Sequence, residues 1–127
     1  MSRPIIKTLS SAGADLTARD NEVLEPGEIK AISTGYFYDV DVHGRVGLVR
    51  GRSSFAFAHN VWSFEGTIDS DYTGEIKILL ENKGDKMFFI NKGDRIGQLV
   101  VVPHCTDLYF DTENKVREGG FGSTDNE

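Results

Sequence analysis

A single cysteine, Cys105, leaves no partner for an internal disulfide, which fits a reducing compartment. Long apolar runs are missing too. The opening stretch, Met1-Ser-Arg-Pro-Ile-Ile-Lys7, holds two consecutive aliphatics before a charge, so no signal peptide and no membrane partner is expected, and the cytoplasm is the expected location. Cations are in deficit, with 14 Lys and Arg against 20 Asp and Glu and a net charge of −6. Neutralising a nucleic-acid backbone needs a basic surface, so no nucleic-acid partner is expected. An acidic balance does not exclude a nucleotide substrate, because backbone amides, a few placed cations and Mg²⁺ can hold a polyphosphate. His43, His59 and His104 lack metal-ligand spacing, and a zinc site is not expected.

The 127 residues suffice for one hydrophobic core. Apolar residues recur with a period of two, in Tyr36, Tyr38, Val40 and Val42 and again in Ile76, Ile78 and Leu80. That period marks strands with one buried face. Turn signals separate them: Glu25-Pro-Gly-Glu28, His43-Gly44, and the near-copies Asn82-Lys-Gly-Asp85 and Asn91-Lys-Gly-Asp94, each expected to close a tight hairpin. Only residues 53–59 look helical, with a serine at the start able to cap the N-terminus. The expected fold is all-β, a distorted jelly roll or β-barrel with one short helix. Residues 1–115 form the expected β domain. Residues 116–127 are glycine-rich and polar, and are expected to form a mobile C-terminal arm.

Four segments carry candidate chemistry. Ala12-Gly-Ala-Asp-Leu-Thr-Ala18 sets Asp15 just after a glycine turn. Arg50-Gly-Arg-Ser-Ser54 puts two guanidiniums and two hydroxyls at a helix start, a combination suited to phosphate. Gly66-Thr-Ile-Asp-Ser-Asp-Tyr-Thr-Gly74 holds two carboxylates and an aromatic between glycines. The fourth is the tail, one aromatic among glycines. In a regular strand Asp69 and Tyr72 point to opposite faces, so lining one pocket requires a bend around Ser70-Asp71. Asp71 is read as structural, Cys105 as a buried small hydrophobe, and Trp62 as core or hairpin packing.

In this order the segments resemble the five motifs of the trimeric dUTP pyrophosphatase family: residues 12–18, Arg52-Ser-Ser-Phe-Ala56, residues 66–76, Gly93-Asp-Arg-Ile-Gly-Gln-Leu99 and Gly119-Gly-Phe-Gly-Ser-Thr124. The third and fifth motifs together are the specific ones. The resemblance implies a homotrimer with active sites shared between subunits, and hydrolysis of dUTP to dUMP and pyrophosphate with Mg²⁺ as cofactor. It implies that Asp69 activates the water that attacks the α-phosphorus. It further implies that Asp15 holds a metal-bound water, that Arg52, Ser53, Ser54 and Gln98 bind phosphates, and that Gly66 belongs to the substrate-binding set. Tyr72 would select deoxyribose, Phe121 would cover the uracil, and Gly122, Ser123 and Thr124 would complete the site near the γ-phosphate. Uracil would be read by main-chain groups within residues 58–67. The sequence departs from the family in places. Gly51 stands where a proline is usual and Ser54 where a glycine is. His59-Asn-Val-Trp-Ser-Phe-Glu65 is short and lacks the usual Asn-Ser-Pro ending, and Arg117 falls one residue late. Two alternatives accompany this reading: a regulatory dUTP-binding relative that grips a protein partner, and a dCTP deaminase. The brevity of the chain and the intact segment around Asp69 favour dUTP hydrolysis.

Overall fold

The computed structural model describes residues 3–38, 44–106 and 110–113. Its elements, in order, are β1 (Ala14–Thr17), β2 (Glu22–Leu24), β3 (Ile29–Phe37), β4 (Arg45–Gly51), α1 (Ser53–His59), β5 (Val61–Phe64), β6 (Gly66–Asp69), β7 (Glu75–Asn82), β8 (Phe88–Ile90) and β9 (Arg95–Pro103). They form a four-stranded sheet in the order β1-β9-β4-β6, a three-stranded sheet β3-β7-β5 and a pair β2-β8. All the pairings are antiparallel. The all-β expectation with one short helix is borne out. Among the described residues the three sheets stay separate and no barrel closes.

The core follows from the period of two. Along β7 half-buried and buried residues alternate without a break, and Ile76, Ile78 and Leu80 are each 1% exposed. Ile32 from β3, Leu16 from β1, Leu24 from β2, and Ile90 and Ile96 from β8 and β9 join them. Tyr36 and Tyr38 behave as the alternation predicts, packed against or within this core, while Val40, Val42 and His43 lie outside the described residues. Tyr38 packs its ring onto Gly47, where an added Cβ would sit 2.7 Å from Tyr38 Cε1. Its hydroxyl is buried with no hydrogen-bond partner. Burial, and secondarily the charge of Asp69, raise that phenol above its ordinary value.

The two near-copy tetrapeptides are not hairpins. β7 and β8 lie in different sheets, as do β8 and β9, so both segments carry the chain from one sheet to another. At Asn91–Asp94 the amide of Asp94 donates to the carbonyl of Asn91 at 2.9 Å, with Gly93 at φ 89°. The first copy differs because Asn82 is fully buried. Its Nδ2 donates to the carbonyls of Leu24 and Lys86 at 3.0 and 2.7 Å, and its Oδ1 accepts from the amide of Gly84 at 3.0 Å. The side chain therefore ties the β2-β8 pair to the end of β7. Tertiary hydrogen bonding overrode turn chemistry there. Glu25–Glu28 is a turn as expected, Pro26 followed by Gly27 at φ 84°.

One further expectation fails in part and another wholly. Trp62 is 48% exposed and so is not a core residue; it packs locally instead, its Nε1 donating to Asn60 Oδ1 at 2.7 Å and Lys83 Nζ lying 5.6 Å from its ring centre. Cys105 is exposed, not buried.

Candidate active site

β1, β9 and the start of α1 converge on one cleft of about 260 Å³ lined by Asp15, Gly51, Arg52, Ser53, Ser54, Arg95, Gly97 and Gln98. Five of the residues singled out in the sequence therefore meet: Asp15, Arg52, Ser53, Ser54 and Gln98. Register explains why. Asp15 on β1 stands opposite Gln98 on β9, and Gln98 stands opposite Arg50 on β4, so the three side chains share the outer face of the sheet.

Arg95 belongs to this cleft although alternation alone would turn it away from Gln98. Between Leu16 and Thr17 the pairing jumps from Gly97 to Arg95, leaving Ile96 as the extra residue of a β-bulge. Asp15 and Thr17 lie on one face of β1, so their partners Gln98 and Arg95 lie on one face of β9. Ile96 and Gly97 are consecutively buried, the signature the bulge leaves. The adjacent Ile96-Gly97 pair, which breaks the polar–apolar alternation, is the one sequence signal that could have exposed it. Arg95 Nη1 lies 3.5 Å from Asp15 Oδ1, and Lys7 Nζ lies 3.8 Å from Oδ2.

Arg52 is differently placed. It is the N-cap residue of α1, with extended backbone (φ −97°, ψ 124°) and no side-chain cap, so the expected serine cap is absent and Ser53 is instead the first helical residue. The amides of Ser53 and Ser54, at the first two helical positions, have no acceptor within the helix. The Arg52 guanidinium lies over the Phe55 ring at 5.1 Å and donates from Nη1 to the carbonyl of Arg95 at 3.3 Å. Its Nε is buried without a partner, and among the described residues no carboxylate pairs with it. A cation held in place, short of an acceptor, beside free amides and hydroxyls is a site for an oxyanion.

Gly51 accounts for one departure from the family pattern. A Cβ there would collide with Ser63 Oγ and lie 2.5 Å from Ser63 Cβ. The short β5 passes directly against residue 51, and only glycine leaves room for it.

The structure does not bring Gly66, Asp69 and Tyr72 to the cleft. Asp69 is exposed at the end of β6, opposite Val46 on β4. The Tyr72 amide donates to the Asp69 carbonyl at 3.1 Å, closing the turn around Ser70-Asp71 that the sequence required. Tyr72 itself is 8% exposed, part of the core, with its hydroxyl donating to the carbonyl of Glu75 at 2.9 Å. Asp71 is exposed in the turn. From Gln98 the distance to Asp69 is four residues along the strands, about 13 Å, and two strand spacings across, about 10 Å. Phe121, Gly122, Ser123 and Thr124 lie outside the described residues, as does the boundary between residues 115 and 116.

No helix among the described residues is long and apolar enough to cross a membrane. Nor is there a cluster of three or more His, Cys, Asp or Glu side chains suited to a metal. Among the described residues Asp15 is the one carboxylate lining the cleft. That donor set fits a Mg²⁺ held mostly by water and substrate phosphates, because this cation keeps several waters and uses one or two protein carboxylates. It does not fit an all-protein cage.

Comparison with known proteins converges on one family. A deoxyuridine 5'-triphosphate nucleotidohydrolase of Nautilia profundicola is 40% identical across 95% of this chain and 89% of its own length. The protein of the same name from a Wolbachia of Drosophila simulans is also 40% identical, across 98% of this chain and 87% of its own. Among solved structures, a mutant dUTPase from phage phi11 of S. aureus, described with a structural Mg(II) ion, superposes with a TM-score of 0.78 at 25% identity, over 88% of this chain and 90% of that one. A mutant of the Staphylococcus bacteriophage 80alpha dUTPase with dUpNHpp gives 0.77 at 27% identity, over 96% and 89%. Residues 2–125 match the dUTPase family as a whole, and the chain belongs to that family.

Proposed function

We propose that this protein is a dUTP diphosphatase, hydrolysing dUTP to dUMP and pyrophosphate in sites shared between three copies of the chain. The observation that carries the reading is Arg52, a placed cation with a buried unpaired N–H, in a cleft with Ser53, Ser54 and Gln98. In this reading those four groups bind the α- and β-phosphates and offset the charge that builds on them during attack. Asp15, with Arg95 3.5 Å away, would hold the metal through water. Mg²⁺ when bound supplies charge neutralisation of the phosphates and of the leaving pyrophosphate.

The nucleophile is a water whose proton passes to Asp69 as its oxygen bonds to the α-phosphorus and the bond to the bridging oxygen of pyrophosphate breaks. Asp69 lies too far from the cleft of its own chain to do this there. The Asp69–Tyr72 turn of another copy therefore completes each site, which is the physical reason for the oligomer. Tyr72, almost wholly buried, gives that turn a rigid floor, and packing against it excludes a ribose 2′-hydroxyl without offering a hydrogen bond. Gly66 and the 58–67 backbone face the base. The arm from residue 116 brings Phe121 over the uracil and Gly122, Ser123 and Thr124 to the terminal phosphate.

The test is incubation with dUTP and Mg²⁺ while following dUMP, pyrophosphate and ammonia. Hydrolysis at the α-phosphorus yields the first two and no ammonia, whereas ammonia would indicate deamination. Asp69→Asn keeps the shape and removes the base, so turnover should fall about 1,000-fold with dUTP affinity nearly intact. Wild-type turnover by that variant would remove Asp69 from the mechanism.

A further inference from the structure

Asp15 has a second cation beside it, from a residue that does not line the cleft. Arg95 Nη1 lies 3.5 Å from its Oδ1 and Lys7 Nζ lies 3.8 Å from its Oδ2, so each carboxylate oxygen faces one positive charge. The backbone sets Lys7 there. The amide of Asp15 donates to the carbonyl of Ile5 at 3.1 Å and closes a loop of residues 5–15. Within that loop the amide of Ser11 donates to the carbonyl of Thr8 at 3.1 Å, and the amide of Thr8 to Ser11 Oγ at 3.2 Å. This tight turn begins directly after Lys7. The loop returns at Gly13 against the cleft wall, where an added Cβ would lie 2.9 Å from Gln98 Oε1 and 2.8 Å from the carbonyl oxygen of Leu99.

The two cations are held unequally. Arg95 stands on β9, and its carbonyl accepts from Arg52 Nη1, which ties it into the cleft. The Lys7 side chain is 68% exposed, against 24% for that of Asp15. At 3.8 Å its ammonium is beyond hydrogen-bonding reach, and exposed ion pairs of this kind are weak. Its four-carbon stem lets the charge swing without moving the backbone.

We propose that Lys7 is a substrate-binding residue that pairs with Asp15 in the free protein and transfers to the terminal phosphate when Mg²⁺ and dUTP bind. The proposal rests on the reading of the cleft as the polyphosphate site and of Asp15 as the holder of a metal-bound water. A hydrated dication and an ammonium repel each other at Oδ2, so one of them must give way. Lys7 is the less firmly held of the two cations on Asp15, and it is the one to leave. A polyphosphate beside it supplies new acceptors within reach of the same stem. The lysine therefore opposes the metal before substrate binds and adds to the hold on substrate afterwards. Those two effects have opposite signs.

Binding measurements on the full chain separate them. With Mg²⁺ present, Lys7→Met should bind a dUTP analogue carrying nitrogen in place of the α–β bridging oxygen at least about 10-fold more weakly by calorimetry. Its affinity for dUMP, which lacks the terminal phosphates, should match wild type. Without nucleotide, Mn²⁺ alone should bind Lys7→Met about 3-fold more tightly, read from paramagnetic broadening of the Gln98 side-chain amide resonance. Lys7→Arg keeps the charge and should behave as wild type in all three. Equal loss of dUMP and analogue would mean general damage to the site and overturns the proposal. Unchanged analogue binding, or Mn²⁺ binding that does not tighten, overturns it as well. Arg52→Gln in parallel distinguishes the two readings. If that variant loses the analogue while Lys7→Met keeps it, the polyphosphate cleft stands and the role of Lys7 falls. A wild type that does not bind the analogue refutes both.

Discussion

Replacing Gly51 by alanine tests whether the approach of β5 sets the position of Arg52, the proposed phosphate ligand. The added Cβ would fall 2.5 Å from Ser63 Cβ, against the 3.5–4.0 Å at which carbon atoms ordinarily meet. Rotating the serine moves Oγ away but leaves its Cβ in place, so strand β5 and residue 51 must separate by about 1 Å. Overpacking of this kind costs about 1–3 kcal/mol, a sizeable part of the ~5–15 kcal/mol that holds a small domain together. Arg52 is the next residue, and a misplacement of about 1 Å in a group that positions substrate costs on the order of 100-fold in rate. The variant should therefore unfold at lower urea and turn over dUTP more slowly. Adding Ser63→Gly removes both colliding atoms. By itself that change should cost about 0.5–1 kcal/mol, the penalty of glycine inside a strand. In the double variant the two effects should fail to add, with a favourable coupling of about 1–2 kcal/mol and recovery of most of the turnover. Urea unfolding of the four proteins and steady-state kinetics on each give the cycle. An unchanged midpoint for Gly51→Ala, or strictly additive losses in the double variant, would refute the packing argument.

Two other outcomes follow from buried polar groups. Asn82→Leu preserves volume but strands the carbonyls of Leu24 and Lys86 and the amide of Gly84, so urea unfolding should show a loss of roughly 3–5 kcal/mol. A loss below about 1 kcal/mol would mean those groups find other partners. Tyr38→Phe removes a buried hydroxyl that has no partner and should raise stability by about 1 kcal/mol at neutral pH. The folded-state phenol is raised above its ordinary value near 10, so the folded protein keeps its proton longer than the unfolded chain does. Stability of the wild type should therefore fall as pH rises past 10 through the folded value. Chemical unfolding between pH 8 and 11 should show the phenylalanine variant losing less, and parallel losses would dismiss Tyr38 as the titrating group.

Local chemistry was enough for much of this molecule. Period-two alternation fixed which side of β7 is buried, because Ile76, Ile78 and Leu80 point one way whatever lies opposite. Arg52, Ser53 and Ser54 stood out as phosphate ligands because guanidinium, hydroxyls and a helix start fall within three residues. Other features depend on residues far apart in the chain, and alternation cannot express them. The bulge at Ile96 turned Arg95 into the cleft, since skipping one residue in a ladder reverses the face of everything before it. Asn82 sits in a tetrapeptide that reads as a turn, yet one hydrogen bond to the distant carbonyl of Leu24, beside two local ones to Lys86 and Gly84, made it a buried clamp. Asp69 and Arg52 are seventeen positions apart in the chain, but the pairing of β6 with β4 and of β4 with β9 sets them at opposite ends of one face. The sequence by itself determined the chemical groups and the strands that carry them. Only the tertiary structure decided which groups share a cleft, because strand register is a through-space choice made by the buried face, and that choice left Asp69 and the Arg52–Gln98 cleft of one chain out of reach of each other.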